Sequence, residues 1–213
     1  MVNKKLPTVI TREEFDKIIE RAKQKREKCR KKRSGLLTPR GNKLQEYIIA
    51  LCFAFGGGLR ISEIVGYKGI SKRKNKKTGE IIIKQIVIPK LEYSQIENNM
   101  VRLLGKGQKE RMTLLPAKIL KQGGVTRADL KKYLPLTASR RAVQLFIEQI
   151  TLEVLGKKKS FHKLRHGFGT TLAGGNRPLH EIQMMMGHSR LDTTGIYLHA
   201  NPQTAIKGAE DVF

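Results

Sequence analysis

The segment Lys43–Phe55, KLQEYIIALCFAF, constrains the fold more than any other part of the chain. It is apolar on nearly every side over more than two helical turns, so a helix formed there has no face to give to solvent. Such a helix belongs at the centre of a core, with other elements packed around it. Asn42 is the expected cap at its start, and Gly56, Gly57 and Gly58 are expected to break it. The segment that follows, LRISEIVG, reads as a further short helix.

The flanking elements fit that arrangement. Thr11 and Glu14 form a capping-box pattern ahead of Phe15, Ile18 and Ile19, which predicts a helix running into a basic stretch and ending near Gly35. The lysine-rich KGISKRKNKKTGE reads as a loop, and the β-branched IIIKQIVI as a strand. NMVRLLGKGQKERMTLLP reads as strand, turn, strand, with Val101, Leu103, Met112 and Leu114 inward. KQGGVTRADLKKYLP is a linker before an amphipathic helix from Ala138 to Leu155. Shorter helices are expected over Phe161–Ala173, Leu179–Met186 and Thr193–Leu198, with the Met184–Met186 run in the core. The fold class is therefore mainly α with a small three-stranded antiparallel β-sheet (α+β), in one compact domain.

Charge narrows the function. Lys and Arg number 43 against 18 Asp and Glu, a net charge of +25. That imbalance repels itself in a compact state and calls for an anionic partner: nucleic acid, an anionic membrane or an acidic protein. Aromatics make up 6% of the chain and there is no Trp, which disfavours a base-stacking surface and favours phosphate contacts. The basic runs Lys23–Arg33 and Lys68–Lys77 are candidate DNA-backbone contacts. Cys29 and Cys52, the only cysteines, have no metal-knuckle spacing; Cys52 reads as buried and Cys29 as exposed, in a reducing setting.

The chemistry concentrates in SFHKLRHGFG. His162, Arg165 and His166 are spaced i, i+3, i+4, on one face of a helix. His162 and His166 have the spacing of helical zinc ligands. Lys163 stands where a metalloprotease has its Glu, however, and Arg165 adds a second cation, so the pattern fits an anion better than a metal. Arginine forks suit the equatorial oxygens of a phosphoryl transition state. Arg60, after three glycines and at a helix start, is the candidate second arginine; Glu63, three residues on, is expected to orient an arginine or lysine or to cap locally. Downstream, Tyr197 lies nine residues after His188, and a tyrosine can attack phosphorus.

Four blocks, GLRISEIVGY, LLGKGQKERMTLLP, FHKLRHGFGTTL and MMMGHSRLDTTGIYLH, occur in this order. In them the chain resembles the catalytic domain of the tyrosine recombinases, the phage-integrase and Xer-type site-specific DNA recombinases. The resemblance implies that Arg60 and Arg165 clamp the scissile phosphate. Tyr197 would be the nucleophile of a 3′-phosphotyrosyl intermediate, and Lys106 would protonate the leaving 5′-oxygen. His162 would help move the tyrosine proton, and His188 would bond a non-bridging oxygen. His166 would support the site.

The resemblance implies no metal or nucleotide cofactor. It implies double-stranded DNA as partner, a tetramer on paired sites with a monomer or dimer off DNA, no membrane, and a cytoplasmic, nucleoid-associated setting. Residues 1–200 would form the catalytic domain and 201–213 a tail docking on a neighbouring subunit, with the family's N-terminal core-binding domain absent. A type IB topoisomerase-like relaxer and a non-catalytic DNA-binding regulator on the same scaffold are the alternative functions.

Overall fold

The computed structural model describes residues 8–75, 78–104 and 110–187. The helices are α1 (Arg12–Glu27), α2 (Pro39–Gly57), α3 (Ile61–Val65), α4 (Ala117–Gly123), α5 (Arg127–Tyr133), α6 (Arg140–Leu155), α7 (His162–Gly174) and α8 (Leu179–Met186). The strands are β1 (Tyr67–Lys74), β2 (Ile81–Ile88), β3 (Ile96–Glu97), β4 (Met100–Leu104) and β5 (Glu110–Leu114).

The apolar segment forms the central helix, as its composition dictates. Seven consecutive α2 residues, Ile48 to Ala54, are wholly buried. Helices α1, α4, α6 and α7 pack around α2, and Phe15 of α1 stacks on Phe55 of α2 with ring centres 4.1 Å apart. Helix α7 approaches closely because Gly167 has no side chain: a Cβ there would lie 2.2 Å from the Ile10 carbonyl oxygen. Burial pushes the Cys52 thiol up to about 12, whereas Cys29 is half-buried rather than exposed.

The caps explain most of the boundaries. Thr11 and Glu14 form the expected capping box at α1, but α1 ends at Glu27 and not near Gly35. Helix α2 begins earlier than Asn42. Thr38 Oγ1 accepts from the Gly41 N–H at 3.2 Å, and Pro39 takes the first helical position, where its missing N–H costs nothing. The helix also runs on through Gly56 and Gly57. Gly58 ends it in the left-handed region (φ 64°), where a Cβ would lie 2.4 Å from the Phe168 ring. Part of the expected linker is helical: Thr126 and Asp129 cap each other's backbone at 2.8 and 3.1 Å and start α5.

The strands divide differently from the reading of the sequence. The lysine-rich segment is not a loop up to Lys74. It is β1, paired antiparallel with β2 from Tyr67↔Ile88 to Lys74↔Ile81. Lys68, Lys72 and Lys74 share the open face of this strand, where lysines cost little. The three-stranded antiparallel sheet is present, but its members are β3, β4 and β5, so IIIKQIVI belongs to a separate two-stranded ribbon.

In β5 the inward residue is Thr113. Its hydroxyl donates to the Gly57 carbonyl at 2.8 Å, satisfying an acceptor left open at the end of α2. Met112 and Leu114 consequently face out, 50% and 40% exposed, while Val101 and Leu103 are buried as expected. Of the Met184–Met186 run only Met186 is fully buried; Met184 is 69% exposed.

Candidate active site

Three helix starts supply the walls of one cleft. Its volume is about 620 Å³, and its lining includes Arg60, Arg140, Arg141, Gln144, His162 and Arg165. Helices α6 and α7 both open onto it at their N-termini, which adds the positive ends of two helix dipoles to the guanidinium and imidazole side chains. A cleft of this composition fits an anion.

Arg165 reaches the cleft from the first turn and a half of α7 and is 1% exposed. Its Nη1 donates to the Gly58 carbonyl at 2.5 Å and its Nη2 to the Met186 carbonyl. These acceptors end α2 and α8, so the left-handed turn at Gly58 shapes both the helix end and the seat of Arg165. Arg60 caps the start of α3 and is more open, its side chain 39% exposed. Its Nη1 donates to Glu63 Oε1 at 2.8 Å and its Nη2 to the Gly187 carbonyl at 3.2 Å.

Glu63 is the organising group. The Arg60 backbone N–H donates to its Oε2 at 2.7 Å, and Arg111 of β5 donates to the same oxygen at 2.7 Å. Burial works to raise the Glu63 pKa, but the Arg111 charge, the Arg60 N–H and the Arg60 charge together hold it below the usual carboxylate range. Burial lowers the Arg111 pKa, opposed by Glu63. Arg111 also donates to the Met185 carbonyl. One carboxylate therefore joins α3, the sheet and the end of α8.

His162 opens to solvent at the cleft, and its ring meets His166 edge-on with centres 4.5 Å apart. Partial burial, then the charges of Arg165, Arg60 and Lys163, lower the His162 pKa below its ordinary 6.5. The shift favours the neutral imidazole, the form that can accept a proton. Burial, His162 and Lys163 push His166 down to about 4.

The structure brings Arg60, His162 and Arg165 to one cleft, with Glu63 behind Arg60 and His166 behind His162. Lys106, His188 and Tyr197 lie outside the described residues, as do the expected Thr193–Leu198 helix and the 201–213 tail. The sequence reading missed Arg111, Arg140 and Arg141. For the last two a signal exists: paired arginines at a helix start oppose the helix dipole, an arrangement that costs energy unless an anion is bound there. Arg111 carries no comparable signal, because its role depends on which face of β5 turns inward.

The model of the phage integrase family matches residues 8–204. A tyrosine recombinase XerC of Pseudomonas syringae pv. tomato is 27% identical over 187 residues, covering 74% of this chain and 53% of that protein. A XerC of Stutzerimonas stutzeri is 29% identical over 171 residues, covering 72% and 48%. The chain thus spans about half the length of these relatives.

Among solved structures, a XerA recombinase superposes with a TM-score of 0.64 at 16% identity, covering 99% of this chain and 65% of the other. A XerH site-specific recombinase bound to a palindromic difH substrate superposes with a TM-score of 0.62 at 19% identity, covering 96% and 53%. These two establish the shared fold. With nearly the whole chain matched by the family model, the chain belongs to the phage integrase family.

Proposed function

We propose that this chain carries the catalytic domain of a site-specific DNA recombinase that cuts and rejoins strands through Tyr197. The observation that carries the reading is the convergence of Arg60, Arg165 and His162 on one basic cleft, with Glu63 fixing Arg60. In this reading the two arginines hold the non-bridging oxygens of a scissile phosphate and stabilise the charge that builds in the transition state. Neutral His162 accepts the phenolic proton as the Tyr197 oxygen attacks phosphorus. The bond from phosphorus to the 5′-oxygen breaks as the bond to tyrosine forms, and Lys106 protonates the departing oxygen. His188 donates to a non-bridging oxygen.

The phosphodiester energy is kept in the 3′-phosphotyrosyl bond. A 5′-hydroxyl from the same or a partner duplex reverses the step, so the reaction closes with no external energy source. The XerH recombinase has been solved bound to difH substrate before and after cleavage, which supports duplex DNA as the partner here. Four copies on two paired sites supply the four strand cuts that exchange requires, with 201–213 docking between neighbours. The proposed setting is the cytoplasm, at the nucleoid. Among the described residues no helix is long and apolar enough to cross a membrane.

The test is covalent trapping on nicked duplexes with a randomised core, in which the short 3′ fragment diffuses away after cleavage. The expected result is a denaturation-resistant protein–DNA adduct enriched for particular core sequences. An adduct without sequence enrichment, together with relaxation of supercoils by the monomer, would replace the recombinase by a topoisomerase-like enzyme. No adduct despite DNA binding would leave a non-catalytic binder.

A further inference from the structure

The β1–β2 ribbon is unexplained by the cleft. Its strands pair without interruption over eight residues each, and among the described elements each packs substantially only on the other. Strand alternation puts Lys68, Ile70, Lys72 and Lys74 on one face, beside Ile81, Ile83 and Val87 of β2. That face is bare: Ile70 is 65% exposed, Ile81 66%, Ile83 63% and Val87 56%. A lone two-stranded ribbon is marginal in water, and a stripe of open β-branched residues implies a surface that covers it.

Charge selects the occupant. Residues 67–90 carry eight Lys and Arg and a single acid, Glu80. Two such ribbons from neighbouring copies repel each other, whereas a duplex supplies the missing anions. The major groove of DNA is wide enough for a two-stranded ribbon, and thymine methyls offer apolar contacts on its floor. Position agrees. The ribbon begins at Tyr67, whose ring lies 5.5 Å from the Arg140 guanidinium, and Arg140 lines the cleft. The other strand continues to Lys90, whose Nζ donates to the Leu136 carbonyl at 2.9 Å, which fixes the base of the ribbon. Eight strand residues span about 27 Å, the length of roughly eight base pairs.

We infer that the β1–β2 ribbon is a DNA-reading arm: its lysine–isoleucine face enters the major groove of the duplex flanking the phosphate held in the cleft. Lys68, Lys72 and Lys74 bind phosphates along the groove edge, and Ile70, Ile81 and Ile83 press against base edges. The arm extends the grip beyond the reacting phosphate and adds sequence discrimination there. The inference rests on DNA being the substrate of the cleft, but not on cleavage.

The experiment places the photo-cross-linker p-benzoylphenylalanine at position 83 and irradiates the protein on a fluorescein-labelled 40-base-pair duplex of random sequence. The expected product is a protein–DNA cross-link that persists when Tyr197→Phe is added, so cleavage and the placement of the arm on DNA are read separately. A protein–protein cross-link in its place would make the face an interface between copies and overturn the inference. So would the absence of any cross-link from protein that is bound to the duplex.

A second measurement uses side chains that do not pack in the core. Lys68→Ala/Lys72→Ala/Lys74→Ala is expected to make the slope of log K against log salt shallower by about 2.7, at about 0.9 for each phosphate no longer neutralised. An unchanged slope would overturn the arm. Ile81→Ser/Ile83→Ser is expected to keep the slope and to flatten preference among duplexes of different flanking sequence; unchanged preference would count against groove reading.

Discussion

Arg111 donates to Glu63 Oε2 at 2.7 Å while Arg60 donates to Oε1 of the same carboxylate at 2.8 Å. The carboxylate is 3% exposed. It holds a strand arginine and a cleft arginine together, and it offsets the repulsion among Arg60, Arg111 and Arg165. Removing it leaves Arg111 buried without its counter-charge.

Glu63→Gln keeps the shape and removes the charge. Arg60 then loses its fixed direction, and strand cleavage is expected to fall by on the order of 10²-fold, the scale of a misplaced catalytic group. Glu63→Ala removes the acceptor as well. Breaking a buried pair from one side costs about 3–5 kcal/mol, so the thermal midpoint is expected to drop by several degrees in both variants and further in Glu63→Ala. Single-turnover cleavage and calorimetry separate the two effects.

Gly58→Ala forces a side chain into a left-handed position and against Phe168. The backbone cost alone is about 1 kcal/mol or more, and the ring clash adds to it. The Gly58 carbonyl also accepts from Arg165, so cleavage should fall further than stability does. Comparing Gly58→Ala with wild type well below both midpoints shows whether activity is lost from folded protein.

The imidazoles set an acid limb. His162 and His166 both have folded pKa values below the ordinary 6.5, His166 at about 4. Below pH 6.5 the unfolded chain therefore binds more protons than the folded one, and stability falls as pH drops from 6.5 toward 4. His166→Gln is expected to flatten that part of the midpoint-against-pH curve. Cleavage by wild type should hold through pH 6.5 and decline at lower pH, where His162 takes up its proton.

Arg140 and Arg141 are exposed on the cleft rim. Substituting each by Ala should weaken duplex binding nearly uniformly across sequences and make the salt slope shallower by about 1 per residue. Thermal stability should stay within about 0.5 kcal/mol, because neither side chain supports the core. Fluorescence anisotropy over a salt series tests the binding expectation, and calorimetry the stability one.

The sequence disclosed the elements that depend on local chemistry. The Thr11–Glu14 box, the solvent-free α2 and the i, i+3, i+4 face of α7 follow from neighbours a turn apart, and all three are present. What escaped depends on the meeting of distant segments. Lysines mark β1 as loop until β2 pairs with it. Met112 and Leu114 look inward until the Gly57 carbonyl claims Thr113 for the inside. Arg111 is one basic residue among many until that same turn of β5 brings it to Glu63. Of the cleft arginines, Arg60 was legible from the glycines and helix start beside it and Arg165 from its spacing to His162 and His166; the rim pair Arg140 and Arg141, marked only as two cations at a helix start, needed the packing of α6 against the cleft to be placed.

The most direct measurement is the identity of the covalent linkage. Adducts trapped on the nicked, randomised-core duplexes would be digested with nuclease and protease and the peptides sequenced by mass spectrometry. The expected result is a nucleotide linked through a 3′-phosphate to Tyr197, with the adduct abolished by Tyr197→Phe and reduced by substitution of either Arg60 or Arg165. An undiminished adduct from Tyr197→Phe, or no adduct from wild-type protein bound to the duplex, would contradict Tyr197 as the nucleophile.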